Sequence, residues 1–288
     1  MTGMALLFAI LLAIAYRFLR VEEDPRLEIV EGMLPGTNCG ACGNPGCHAF
    51  AEALLRQTAA PGKCTVSSPT QVDAIARFLG VDAGVEEKRV ARLHCGGGYG
   101  LALRQAEYQG YSSCRAAVLV SGGGGACGWG CLGLADCERA CTFDAIKLND
   151  RLLPVVDVDK CTACGDCVEV CPVDLFTIEP LSKRLIVQCN SPLKGEAARK
   201  VCSVACDACG RCAADAPDGA IEIVNGLPVV KVPSLTSERA TFRCPTCAIQ
   251  WVQGNQFADD TVAPLYEGGS IASAILSAHR EDERASRG

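Results

Sequence analysis

The stretch Cys161-Thr-Ala-Cys164-Gly-Asp-Cys167-Val-Glu-Val-Cys171-Pro172 spaces four cysteines by two, two and three residues and places a proline after the last. This is the ligand spacing of a bacterial [4Fe–4S] ferredoxin. In two-cluster ferredoxins the fourth cysteine of each run binds the cluster of the other run. The stretch therefore predicts a ferredoxin-like α+β unit and a second cysteine run close by.

A second run precedes it in the segment ACGWGCLGLADCERACTFDAI. Its cysteines are spaced by three, five and three residues, and its end matches in form the VCPVDLF of the later run. Exchange of the fourth cysteines predicts one cluster on Cys127, Cys131, Cys137 and Cys171, and another on Cys161, Cys164, Cys167 and Cys141. Between the runs, Asn149-Asp150 separates the apolar stretches 146–148 and 153–156, which predicts a β-hairpin.

Composition supports metal binding for the whole chain. It has 288 residues and 21 cysteines but only three histidines. A disulfide scaffold is the competing interpretation, but the count is odd and the cysteines fall in tight local runs. Metal binding favours a reducing, cytoplasmic location. Thiolate–iron bonds would also contribute to folding, which fits a chain with 30 glycines and few aromatic residues.

A separate set of four cysteines lies in TNCGACGNPGCHAFAEALLRQTAAPGKC and consists of Cys39, Cys42, Cys47 and Cys64. The glycines between them allow the backbone to wrap closely round a cluster. We expect a helix to start near Gly46, and a second helix to run from an N-cap at Ser68 to Gly80. A zinc site with the same four ligands is the alternative. His48 is expected to be a surface residue, since four thiolates are already present.

A third run repeats the spacing of two and two in ACDACGRCAADAPDGAI, but its fourth position is Ala216. Further on, Cys244-Pro245 resembles the end of another run. Counting outward gives four positions for one cluster, none of which is a cysteine: Ala216, Ser234, Ser237 and Ala240. The four positions for its neighbour are all cysteines: Cys206, Cys209, Cys212 and Cys244. We therefore expect a two-cluster ferredoxin unit that has kept one cluster, with Cys247 as a spare thiol or a substitute for Cys244.

Four isolated cysteines remain: Cys95, Cys114, Cys189 and Cys202. We interpret them as the ligands of one more cluster, which brings the total to about five [4Fe–4S] clusters on twenty cysteines. The alternative is four free or partly buried thiols. His94, which precedes Cys95, is a less favoured ligand.

The N-terminus is apolar without a break from residue 4 to residue 16. The run is short for a membrane span, which needs about 20 residues, and nothing marks it as a signal peptide. We expect residues 1–20 to form a membrane anchor helix, with a buried core helix as the alternative. Arg17 and Arg20 follow the run, which places the rest of the chain on the cytoplasmic side.

Other functional classes find little support. The net charge of −6 argues against nucleic-acid binding, and the glycine run 122–125 is not followed by the Lys-Ser/Thr of a phosphate loop. No catalytic constellation stands out, so no catalytic residue is expected. The expected domains are a membrane anchor (1–20), a four-cysteine domain (21–90), a connecting segment that contributes to the extra cluster (91–120), a two-cluster ferredoxin-like domain (121–188), a second such domain with one cluster lost (189–252) and a tail (253–288).

Taken together, these segments resemble a known family. The apolar N-terminal helix, NCGACGNPGC, HCGGG, GCLGLADCERACTFDAI, CTACGDCVEVCP and KVCSVAC look like the B subunit of the Rnf complex, in its long form with extra ferredoxin-like modules. That family is a membrane-bound ferredoxin:NAD⁺ oxidoreductase that couples electron flow to ion transport. The resemblance covers roughly residues 1–250. The lost cluster and the short anchor depart from the family pattern.

The resemblance implies an electron-transfer subunit of a translocase at the inner cell membrane. It would accept electrons from soluble reduced ferredoxin and pass them to the other subunits of the complex, which would bind flavin and pump ions. Two other functions remain open from the residues alone. One is a soluble polyferredoxin module of a hydrogenase or dehydrogenase, and the other is a structural zinc protein.

Overall fold

The computed structural model describes residues 2–19, 24–84, 86–232, 235 and 237–257, and the chain divides into two compact units, Met1–Glu86 and Glu87–Gly288. Three expectations fall outside the described residues: those on Arg20, on Ser234 and on the tail beyond residue 257. Where it is described, the chain has the mixed α+β composition that the sequence predicts.

The first unit is helical. Its α-helices are α1 (Thr2–Leu19), α2 (Arg26–Met33), α3 (Cys47–Leu55) and α4 (Pro69–Leu79). Side chains of α1 between residues 7 and 14 are exposed and apolar. A search of the described residues found no helix with the length and apolar character needed to cross a membrane.

The helices of this unit are set by local signals in the sequence. The predicted N-cap of α4 is confirmed, because the Ser68 side chain accepts from the backbone N–H of Gln71 and the Gln71 side chain accepts from the N–H of Ser68. Gly80 ends α4 in the left-handed conformation, also as predicted. Helix α2 was not predicted. It packs its buried Val30 into a core that also contains Phe50 of α3.

The second unit contains the remaining elements. They are β1 (Arg89–Leu93), α5 (Cys114–Leu119), α6 (Asp136–Ala140), β2 (Ile146–Leu148), β3 (Pro154–Val156), α7 (Asp166–Val170), β4 (Phe176–Pro180), β5 (Leu185–Val187), α8 (Gly195–Val201), α9 (Arg211–Asp215), β6 (Ile221–Val224), β7 (Leu227–Val230), α10 (Arg239–Phe242) and β8 (Ile249–Trp251). The strands form antiparallel pairs, β1 with β4, β2 with β3, β5 with β8 and β6 with β7.

This order contains the same β-α-α-β-β-α-β arrangement twice, which is the ferredoxin-like β-α-β-β-α-β motif with an additional helix after the first strand. In residues 89–180 the outer strands β1 and β4 pair from Arg89↔Pro180 to Leu93↔Phe176, and the hairpin β2–β3 lies between α6 and α7 in the chain. In residues 185–251 the outer strands are β5 and β8, and the hairpin is β6–β7. We call these the first and second ferredoxin-like modules.

The first module contains both a confirmed prediction and an unexpected strand. The hairpin predicted around Asn149 is present, and the Asn149 side chain accepts from the N–H groups of Arg151 and Leu153. Strand β1 crosses the expected boundary at residue 90. It is an outer strand of the first module, and its partner strand β4 begins more than 80 residues later in the chain.

Candidate metal centres

Three cysteines of the four-cysteine set pack against the core of the helical unit, namely Cys42, Cys47 and Cys64, and Cys47 begins α3. The side chain of Asn38 accepts from the N–H of Cys47 at 2.7 Å, which holds Cys39 beside that helix start. Gly46 has φ +123°, and a Cβ there would lie 3.0 Å from the Asn38 oxygen, so glycine is required. Together with Cys42 and Cys64 these two cysteines form quartet I.

His48 lies outside this set, as expected of a surface residue. Its Nδ1 pairs with Glu31 at 2.8 Å, and the ring is exposed.

In the first module, one cavity is lined by four cysteines that belong to different runs: Cys141, Cys161, Cys164 and Cys167. Burial raises the pKa of Cys167 to about 12, and the charges of the other three thiolates contribute to the rise. Ala91 of β1 and Ile178 of β4 line the same cavity. These four cysteines, quartet IV, are the set expected from exchange of the fourth cysteine between two runs.

Cys114 lies beside Cys137, in the ligand position that the sequence analysis predicted for Cys127. The residues on either side of Cys114 both bond to the Asp136 carboxylate, from Ser113 Oγ at 2.9 Å and from the N–H of Arg115 at 3.2 Å. The Cys114 thiol itself accepts from the backbone N–H of Asp136. The thiolates whose charges act on one another here form quartet III: Cys114, Cys131, Cys137 and Cys171.

Cys127 instead lies beside Cys202. The N–H of Ala126 donates to Leu103 O, the N–H of Leu103 donates to Val201 O, and a β-bridge joins Ala102 to Cys202. Burial raises the pKa of Cys202 to about 12, and three neighbouring thiolates add to this rise: Cys95, Cys189 and Cys127. These four cysteines form quartet II.

The sequence predicted Cys127 in the set with Cys137, and Cys114 in the set with Cys202. The structure instead places Cys114 with Cys137 and Cys127 with Cys202. The pairing of Leu103 with residues 126 and 201 is tertiary, so local sequence does not reveal it. One signal was present: Cys127 and Cys131 are separated by three residues, and Cys131 and Cys137 by five, whereas the regular run from Cys161 has two residues in both places.

Backbone packing in quartet II excludes larger residues. A Cβ on Gly97 would lie 2.8 Å from Cys202 Sγ and 3.8 Å from Cys95 Sγ, so only glycine leaves space beside these thiols. His94 is not available as a ligand in this arrangement. Its Nδ1 bonds to Val187 O and its Nε2 to Thr177 Oγ1, both at 2.7 Å.

In the second module the thiolates of Cys206, Cys209, Cys212 and Cys244 act on one another and form quartet V. Of the four positions expected for a lost cluster, Ala216 and Ala240 pack with Leu235 in an apolar core. Apolar side chains therefore occupy this region of the module.

A repeated turn identifies the fourth position of each run. The residue three after that position has positive φ in all four runs: Asp144 at 50°, Asp174 at 51°, Gly219 at 73° and Cys247 at 54°. Cys247 therefore occupies the turn position, and Cys244 and Ala216 occupy the fourth-ligand positions.

All 21 cysteines lie in the described residues, and none forms a disulfide. Within the same residues, no group of three or more His, Cys, Asp or Glu side chains is arranged to hold a metal ion. A [4Fe–4S] cluster is a larger group bound by four thiolates, and its positive irons would offset both the burial and the mutual repulsion that raise the pKa values of thiols such as Cys137, Cys167 and Cys202. The donor sets, all sulfur, fit this cluster.

Two family models match the chain in these regions. The family described as "Putative Fe-S cluster" matches residues 34–66, which contain quartet I. The family described as "4Fe-4S binding domain" matches residues 154–177, which contain the regular run that begins at Cys161. Fold, cysteine groups and matches define the class of protein: an iron–sulfur protein with ferredoxin-like modules.

Curated relatives narrow this class. The chain is 44% identical over 201 residues to the B subunit of the Na⁺-translocating ferredoxin:NAD⁺ oxidoreductase complex of Acetobacterium woodii, an alignment that covers 70% of this chain and 60% of that protein. It is 39% identical over 254 residues to the B subunit of the proton-translocating ferredoxin:NAD⁺ oxidoreductase complex of Clostridium ljungdahlii, covering 87% and 89%. For the B subunit of the ion-translocating oxidoreductase complex of Methanosarcina acetivorans the identity is 32% over 251 residues, covering 87% and 95%. The chain belongs to this family of B subunits, the Rnf family.

Proposed function

We propose that this chain is the iron–sulfur electron-transfer subunit of an ion-translocating ferredoxin:NAD⁺ oxidoreductase complex. It accepts electrons one at a time from reduced ferredoxin and passes them to the other subunits. Membership of the family and the function of the complexes to which its relatives belong support this role. The complex is the enzyme, and this chain contributes electron transfer without a bond-making site of its own.

The proposed cofactors are five [4Fe–4S] clusters, one on each quartet. Their ligands are Cys39, Cys42, Cys47 and Cys64 (I), Cys95, Cys127, Cys189 and Cys202 (II), Cys114, Cys131, Cys137 and Cys171 (III), Cys141, Cys161, Cys164 and Cys167 (IV), and Cys206, Cys209, Cys212 and Cys244 (V). Cys247 is not a ligand in this assignment.

The observation that carries the proposal is the continuity of quartets II to V. Cys137 of quartet III acts electrostatically on Cys167 of quartet IV. The N–H of Cys131, in quartet III, donates to Cys95 Sγ of quartet II at 3.3 Å. The N–H of Cys206, in quartet V, donates to the Cys189 thiol of quartet II. These links place the quartets in the order IV, III, II, V. This order supports a path for electrons through both modules, in which quartet II connects the first module with the second.

The chain's own residues have two tasks in such a path. The thiolates hold each cluster, which supplies one-electron reduction and oxidation. Backbone N–H groups stabilise the added negative charge, as the N–H of Ala145 does at Cys141 Sγ (3.3 Å) and that of Leu175 at Cys171 Sγ (3.5 Å). These two positions are equivalent in the two runs, four residues after the fourth cysteine.

The proposed location is the cytoplasmic face of the inner membrane, within the complex. The exposed apolar surface of α1 supports a role for residues 1–20 in attaching the chain to the membrane part of that complex. Removal of residues 2–19 from the chain in its native host should release it from the membrane fraction with its iron retained. Continued membrane association of the shortened chain would contradict this role of α1.

The test of the function is anaerobic purification of the full chain, followed by analysis of iron and acid-labile sulfide and by EPR. We expect about twenty irons per chain, from five clusters of four. Reduced ferredoxin should reduce these clusters in a rapid-mixing experiment. A colourless protein that contains zinc, or clusters that ferredoxin leaves oxidised, would contradict the proposal.

A further inference from the structure

Arg92 is the largest fully buried side chain among the described residues, with 1% of its surface exposed. It lies on β1, and its Nη1 donates to Gly254 O at 2.9 Å. Its Nε and Nη2 have no hydrogen-bond partner among the described residues. Arginine is almost never buried to this extent unless an anion is paired with it.

No carboxylate among the described residues fills that role. Glu179 acts on Arg92 through its charge. Its carboxylate, however, accepts from Lys183 Nζ at 2.7 Å and from Thr177 Oγ1 at 3.2 Å. The lysine already neutralises that carboxylate, so the guanidinium needs another source of negative charge.

Strand β1 separates the Arg92 side chain from the cavity of quartet IV. The preceding residue, Ala91, lines the cavity of that quartet, and the charge of Cys161 acts on the guanidinium. The segment that receives the Arg92 hydrogen bond also bonds to the chain just before Cys161, because Asn255 Oδ1 accepts from the N–H of Val158 at 2.9 Å. Residues 254–255 therefore connect the Arg92 side chain with the backbone at Val158, three residues before Cys161 of quartet IV.

We propose that Arg92 is a buried cation that raises the reduction potential of the cluster on quartet IV, an inference that rests on the proposed function. Reduction adds one electron to the cluster, from ferredoxin or a neighbouring cluster, and so increases its negative charge. A positive charge in a low-dielectric interior favours the more negative, reduced form. In turn, the anionic cluster offsets the cost of burying the guanidinium.

Arg92 takes no part in proton or bond transfer, since a guanidinium remains protonated throughout. It acts on quartet IV through its positive charge, and its hydrogen bond goes to the backbone carbonyl of Gly254. Its side chain points to the opposite face of β1 from Ala91, as expected for neighbouring residues of a strand.

The test is a redox titration by EPR on the full chain, in the wild type and in Arg92→Gln, Arg92→Lys and Arg89→Gln. Arg89 is the matched control, because it lies on the same strand but is exposed. The signal of quartet IV is identified as the one lost in Cys164→Ser. In Arg92→Gln we expect the ratio of reduced to oxidised cluster at a fixed potential to fall about tenfold, a shift of about 59 mV for a one-electron couple. Arg92→Lys, which keeps the charge, and Arg89→Gln should stay near the wild type.

An unchanged quartet IV potential in iron-replete Arg92→Gln would overturn the inference, as would an equal shift in Arg89→Gln. If Arg92→Gln is recovered without iron, Arg92→Lys decides, and a tenfold shift in that variant would overturn it. Absence of iron–sulfur signals from the wild type would instead refute the proposed function, so the two failures are distinguishable.

Discussion

The two ferredoxin-like modules share one fold but differ in their ligands. Residues 89–180 and 185–251 both have paired outer strands, a central hairpin and a short helix on either side of that hairpin. The first module contains complete runs, and the second has Ala216 where the first has Cys141, since both follow the helix that precedes the central hairpin. The turns after these two positions nevertheless have similar backbone geometry, with φ 50° at Asp144 and 73° at Gly219.

This difference fits the proposal that the second module holds one cluster where the first holds two. In the first module, cysteines of quartets III and IV pack against a core that includes Leu175. In the second, Ala216, Leu235 and Ala240 form part of the core. In the proposed assignment, apolar burial there stabilises a region that thiolate–iron bonds would stabilise in the first module.

The largest expected effect concerns the assignment of Cys127. If Cys127 and Cys137 bind different clusters, Cys127→Ser/Cys137→Ser should lose about eight irons per chain, because two clusters each lose a ligand. The matched variant Cys114→Ser/Cys137→Ser should lose about four. Iron analysis and EPR spin quantification measure both losses. The reverse result, four irons for the first variant and eight for the second, would restore the grouping expected from sequence.

The next effect distinguishes two cysteines of the second module. Cys244→Ser should lose about four irons, since it removes the fourth ligand of quartet V. Cys247→Ser should lose none, because Cys247 occupies a turn position with φ 54°. Iron analysis compares the two variants directly. Iron loss in Cys247→Ser alone would show that Cys247 is the ligand, and that the repeated turn misidentifies the fourth position.

Several of these features could be read from the sequence because they depend on local spacing. The hairpin around Asn149, the cap at Ser68 and the regular run from Cys161 each depend on residues a few positions apart. The position of Ala216 followed from counting.

Long-range pairing could not be predicted in this way. Strand β1 pairs with β4, which lies more than 80 residues later in the chain. The backbone of Leu103 bonds to both Ala126 and Val201, the residues that precede Cys127 and Cys202. The exchange of Cys114 and Cys127 depends on these contacts. A cysteine that stands outside a compact run has no local signal for its cluster, so its partners become visible only in the folded chain.

A smaller effect is expected in the apolar core of the second module. Leu235→Ala should lower the free energy of unfolding by about 1–2 kcal/mol, less than for a fully buried leucine because the side chain is half-buried. Anaerobic urea denaturation followed by circular dichroism measures the change. Val232→Ala, at an exposed residue nearby, is the control and should have almost no effect. Equal effects of the two substitutions would show that Leu235 does not stabilise this region.

The smallest effect is expected at the contact between α9 and α10 of the second module. Arg243 Nε donates to Asp215 Oδ2 at 2.8 Å, and this bond lowers the pKa of the Asp215 carboxyl. Arg243→Gln should therefore cause a small loss of stability, and added salt should reduce the difference from the wild type because the Arg243 side chain is exposed to solvent. Arg239→Gln is the control, since Arg239 acts on Asp215 by charge alone. Both variants should keep full iron. If the two variants destabilise the chain equally at low and high salt, the hydrogen-bonded pair does not hold these helices together, and apolar packing alone maintains the contact between them.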